Sequence, residues 1–116
     1  MPSTGLRGPH SLNTETIDSV VEKNKIGAYA LGYVSVGDDF MPKYVGRSDN
    51  DLNGRLKTHI GEGCSKFKFE YYSSAKKAFE KECNLHHDWK EQLDNKEHPD
   101  RPSGTNWKCP RCNVSK

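Results

Sequence analysis

Gly37-Asp38-Asp39 stands between two apolar, tyrosine-bearing segments, and that arrangement restricts the chain more than any other feature. Upstream, Gly27-Ala28-Tyr29-Ala30-Leu31-Gly32-Tyr33 reads as a strand; downstream, Tyr44-Val45-Gly46 ends a second. A Gly-Asp turn between two such runs predicts a β-hairpin. The first strand is expected over Ile26 to Val36. The second takes in Tyr44 to Gly46 and the residues just before, with Pro42 where it has not yet fully paired. Lys66-Phe67-Lys68-Phe69-Glu70-Tyr71 alternates charged and aromatic residues, the pattern of a third, half-buried strand.

Helical spacing surrounds these strands. Ile17, Val20 and Val21 predict a short amphipathic helix within Leu12 to Lys25, capped by Asn13 or Thr14. A polar turn from Arg47 to Asn50 leads into a helix from Asp51 to about Ile60, capped by Asn50 or Asp49 and ended by Gly61 and Gly63. On it Arg55 and His59, at i,i+4, share one face, while Leu52 and Leu56 form a neighbouring apolar stripe. A longer helix follows from Ser73 or Ser74 to about Leu93, with Ala75, Ala78, Phe79, Leu85 and Trp89 mostly at helical positions. The expectation is an α+β domain over residues 12–93, with a small three-stranded antiparallel sheet flanked by helices. Residues 1–11, rich in Pro, Gly and Ser, are expected to be poorly ordered, and residues 94–116 to form a loop and a tail packed on the last helix.

Only 32% of the 116 residues are hydrophobic and 29% are charged, so the core is small and an additional staple is expected. The cysteines supply a candidate. Cys109 and Cys112 form a Cys-x-x-Cys knuckle, and Cys83 and His87 lie four apart on the last helix. Two thiolates from a tight turn and a Cys-x-x-x-His pair from a helix complete a tetrahedral site, so structural zinc is expected, with His86 or His98 as substitutes for His87. A redox Cys-x-x-Cys is the rival, but it calls for the first cysteine at a helix start. Cys64 is left over and is expected to be a small, partly buried residue.

Glu82 and His86 occupy the adjacent face of the same helix. Taken together, Gly27-Ala28-Tyr29, Tyr44-Val45-Gly46, Arg55, His59 and Glu82, in that order, resemble the GIY-YIG nuclease superfamily, over roughly Ile26 to Leu85. Ala28 replaces the central Ile of the first motif, and the distance from Gly46 to Arg55 is one residue longer than in some members. Glu82 fits the helical motif better than Glu80, with Ala78 at the small position and Leu85 at the apolar one. The resemblance implies a metal-dependent DNA endonuclease. Glu82 would hold one Mg2+ or Mn2+ ion, Arg55 would bind the phosphate, and Tyr29 would activate the attacking water. Tyr44 would position or share that proton, and His59 would relay it or contact phosphate. Asn106 is the late asparagine that relatives often place in the site.

Charge is consistent with a DNA partner. Between Lys43 and Lys77 eight Lys or Arg face four acids, although the net charge is only +2. Lys43, Arg47 and Arg55 are the expected contacts to the phosphate backbone. With no separate DNA-reading domain expected, there is room for a protein partner that supplies targeting. No run of eighteen apolar residues and no apolar h-region near the N-terminus occur, so neither a membrane span nor a secretory signal is expected, and the cytoplasm is the expected setting. The alternative function is a zinc-stabilised nucleic-acid-binding or interaction module on a catalytically degenerate GIY-YIG fold.

Overall fold

The computed structural model describes residues 6–89 and Leu93. Its elements are β1 (Arg7–Ser11), α1 (Thr14–Val20), β2 (Gly27–Val34), β3 (Phe40–Ser48), α2 (Leu52–Lys57), β4 (Lys66–Tyr71) and α3 (Ala75–Trp89). The strands form one antiparallel sheet in the order β1-β4-β2-β3. The α+β class agrees with expectation, but the sheet has four strands rather than three.

The additional strand lies in the segment expected to be poorly ordered. Arg7, His10 and Ser11 pair with Phe69, Phe67 and Lys66, and the register shifts between Arg7 and His10. Pro9 cannot donate to a ladder, but β1 is an edge strand, where that loss is tolerated. Side chains supply the anchorage that composition hides. The Arg7 guanidinium bonds Glu70 at 2.6 Å and lies over the rings of Phe69 and Tyr71, while the His10 ring packs on Phe67 and Phe69.

β2 is central, between β4 and β3, and every residue from Gly27 to Gly32 is buried. A strand covered on both faces has no solvent side, which is why this run is nearly all apolar. Tyr29 and Leu31 point to the face covered by α1 and α2, where Ile17, Val21, Leu52, Leu56, Phe67 and Phe69 complete a cluster. Ala30 points to the opposite face, with Val45, Leu85, Trp89 and Leu93. Each fully buried large side chain contributes about 1.5–3 kcal/mol, enough for a core of this size to hold.

The β2–β3 hairpin closes through Ser35 N–H to the Asp39 carbonyl at 2.8 Å, with Asp38 at φ 65°, a left-handed conformation that aspartate tolerates. Tyr44 pairs with Leu31 and Pro42 with Gly32, so Lys43 is the extra residue of a bulge. β3 therefore begins before Pro42, which sits on an edge strand.

The helix starts follow the expected chemistry in part. Asn13 Oδ1 accepts from the Thr16 N–H at 2.8 Å, capping α1, and Ser74 Oγ accepts from the Lys77 N–H at 3.2 Å near the start of α3. α2 differs. Its N-cap is Asp51, whose carboxylate accepts the Asn24 N–H at 2.9 Å instead of capping its own helix. Arg47 and Ser48 belong to β3 rather than to a turn. No helix among the described residues is long and apolar enough to cross a membrane.

Candidate active site

Tyr29 is paired with Gly46 across the β2–β3 ladder. A Cβ at position 46 would overlap the Tyr29 hydroxyl and come within 2.5 Å of its Cζ. Glycine is required there because the ring crosses β3 at that point on its way to the free edge of the sheet. The two tyrosine motifs are thus one structural unit: one strand sends the ring and the other makes room for it.

α2 is fastened beside this unit by the N–H groups at its start. Ser48 Oγ accepts the Asp51 N–H at 2.9 Å, and the Leu52 N–H donates to the Lys25 carbonyl at 2.8 Å. The helix ends at Lys57, and the Thr58 hydroxyl donates to the Arg55 carbonyl at 2.6 Å. The chain then tightens, and the His59 N–H reaches Leu56. Arg55 and His59 therefore do not share one helical face. Arg55 stays outward and exposed, while His59 turns inward and is buried.

That inward turn puts His59 Nε2 at 2.7 Å from the Tyr29 hydroxyl. The Tyr44 ring lies 5.0 Å from the His59 ring, centroid to centroid. On the far side His59 Nδ1 is 2.7 Å from Glu62 Oε1. Glu62 was not singled out from the sequence. The only signal was a carboxylate three residues after the histidine, an arrangement common on any surface.

Residues from both faces of the sheet meet at the free edge of β3 and line a cavity of about 440 Å³ that includes Tyr29, Tyr44, Arg47, Asp49, Arg55 and Glu82. Arg47 crosses it from β3 to α3. It bonds Glu82 at 2.6 Å and Asp49 at 3.0 Å, and lies over the Phe79 ring. The structure thus gathers Tyr29, Tyr44, Arg55 and Glu82 around one space with His59 behind Tyr29. Lys43, at the β3 bulge, is not among the lining residues.

Burial dominates the electrostatics. It holds the Tyr29 hydroxyl well above its ordinary range, with Arg55 opposing, so this phenol keeps its proton at neutral pH. It also pushes Glu82 up to about 7, the Arg47 guanidinium acting against it. A carboxyl raised above its ordinary 4.5 favours the fold less as it ionises. The difference in urea-unfolding stability between wild type and Glu82→Gln is accordingly expected to shift against wild type as pH rises from about 4.5 to about 7.

The donors for a catalytic ion fit in kind. Glu82 and Asp49 offer hard oxygens to the cavity, and magnesium keeps several waters, so it does not need a closed protein cage. Among the described residues no group of three or more His, Cys, Asp or Glu is placed to hold a metal. Of the zinc set, Cys83 is buried beside Phe79 and His87 is partly buried on α3, with the alternative His86 buried there as well. Cys109, Cys112, His98 and Asn106 lie outside the described residues. Cys64 is partly buried against the α1/α2 cluster.

In comparisons with known proteins, no family model matches this chain, and no curated protein or solved structure matches it significantly.

Proposed function

We propose that the chain is a metal-dependent DNA endonuclease of the GIY-YIG type that hydrolyses phosphodiesters in the cavity at the edge of β3. The observation that carries this reading is a phenol hydrogen-bonded to a buried imidazole and lining the same cavity as an exposed arginine and a half-buried carboxylate. Arg55 presents its planar fork to the non-bridging phosphate oxygens and stabilises the charge that grows there. Because Tyr29 is protonated, it acts as a shuttle rather than as a standing phenolate. It takes a proton from the attacking water while passing its own to His59 Nε2. The water oxygen bonds phosphorus, the ester P–O bond breaks, and the leaving oxygen takes a proton from solvent. Glu82 would hold one Mg2+ or Mn2+ ion, which supplies Lewis-acid stabilisation of the phosphate and leaving group when bound. Tyr44 flanks His59 and keeps its ring in place.

Lys43 and Arg47 complete the proposed phosphate contacts, which make DNA binding weaken with salt. Cys83, His87, Cys109 and Cys112 are proposed as a structural zinc set, and a cytoplasmic setting and a targeting protein partner belong to the same reading. One observation favours the degenerate binding module instead: Arg47 engages Glu82 Oε1 at 2.6 Å, an oxygen that a catalytic ion would need.

Nicking of supercoiled, flapped and branched DNA with magnesium or manganese separates the two. Glu82→Gln is the appropriate variant, because its amide still accepts from Arg47 whereas Glu82→Ala removes the shorter of the two carboxylate contacts of a half-buried guanidinium. Wild type is expected to nick, Glu82→Gln and Arg55→Ala each to lose about 100-fold or more. Folded wild type that binds DNA but never cleaves would establish the binding module.

A further inference from the structure

His59 makes a hydrogen bond from each ring nitrogen, and only one assignment of its proton satisfies both. Glu62 Oε1 lies 2.7 Å from Nδ1, and a carboxylate can only accept. The Tyr29 hydroxyl, 2.7 Å from Nε2, can donate or accept. In the neutral imidazole Nδ1 therefore carries the proton and gives it to Glu62. Nε2 is left bare and takes the hydrogen of Tyr29.

We propose that Glu62 is a positioning residue that holds His59 in the Nδ1–H tautomer, so that Nε2 is the acceptor for the proton of Tyr29. The catalytic half of this statement rests on the nuclease reading; the tautomer does not.

The local backbone is built for the contact. Glu62 N–H donates to the His59 carbonyl at 3.2 Å, closing a turn after α2, and its neighbours Gly61 and Gly63 have φ of 87° and 102°. Those left-handed positions suit glycine, and they curl the chain so that a carboxylate three residues on returns beneath the ring. The Glu62 side chain is 59% exposed and His59 only 8%, so the carboxylate stays in water while the imidazole is shielded. The rings of Tyr29 and Tyr44, which also lie against the imidazole, carry no carboxylate to compete with Glu62. When Nε2 accepts the proton of Tyr29, the imidazolium has its positive charge facing Glu62. The proton lost by water is the proton gained by Tyr29, and the one lost by Tyr29 is gained by His59, so the relay balances without a co-reactant.

The test is long-range 1H–15N NMR of the His59 ring in the 15N-labelled full chain, beside cleavage kinetics. Wild type is expected to show Nδ1–H, Glu62→Ala a substantial Nε2–H population, and Glu62→Gln, whose amide oxygen still accepts, the wild-type tautomer. Nε2–H in wild type, or an unchanged tautomer in Glu62→Ala, overturns the proposal. In the cleavage assay Glu62→Ala is expected to lower kcat about 10-fold with KM unchanged, and Glu62→Gln to restore most of it. An active wild type whose kcat ignores Glu62→Ala overturns the positioning role. A wild type without cleavage defeats the nuclease reading, and the NMR result still decides the tautomer.

Discussion

Gly46→Ala is expected to remove the proposed DNA cleavage and to lower unfolding stability by about 1–3 kcal/mol, the usual cost of forcing extra volume into a packed interior. The added methyl would meet the Tyr29 hydroxyl and Cζ at distances no real contact allows. Relief has to come from Tyr29, which is wholly buried and packed among Leu31, Leu52, Leu56 and Phe69, or from separation of β3 from β2. Moving the ring breaks its bond to His59; moving the strand opens the central hairpin. Urea unfolding with a nicking assay on the same preparation checks both effects, and a variant with wild-type stability and cleavage would show that the ring does not depend on this gap.

Tyr29→Phe separates what Gly46→Ala combines. The ring remains, so the core around it keeps its apolar contacts. What is lost is the hydroxyl and its bond to His59, leaving a buried imidazole nitrogen without that partner, a cost of about 1 kcal/mol. Cleavage is expected to drop about 10²–10⁴-fold, the range attached to a positioned proton-transfer group. DNA affinity is expected to stay close to wild type, because Arg55 and the basic residues around it keep their charge. A cleavage rate within a few-fold of wild type would mean that water is activated elsewhere in the cavity.

Both predictions depend on features of different legibility in the sequence. The hairpin, the alternating strand at Lys66–Tyr71 and the helix through Glu82 were readable because each is written in neighbouring residues. The strand at Arg7–Ser11 was not. Its Gly-Pro composition argues for disorder, and it is held by Glu70, Phe69 and Tyr71, some sixty residues away. α2 was read too long because helical spacing continues through His59. The chain tightens at Thr58 instead, and that sends the imidazole inward.

The sequence by itself determined which chemical groups are present and where the central strands lie, since alternation, turn residues and caps act over a few positions. It placed Tyr29, Tyr44, Arg55, His59 and Glu82 on candidate elements, and the structure brings four of them around one cavity with His59 behind. Only the tertiary structure decided how those groups are connected. The Tyr29–His59 bond, the Glu62 carboxylate behind it and the Arg47–Glu82 pair join residues from different elements or across a turn. Such distances are fixed by how α2 and α3 pack on opposite faces of the sheet, and packing is a property of surfaces that the order of residues in one segment does not contain.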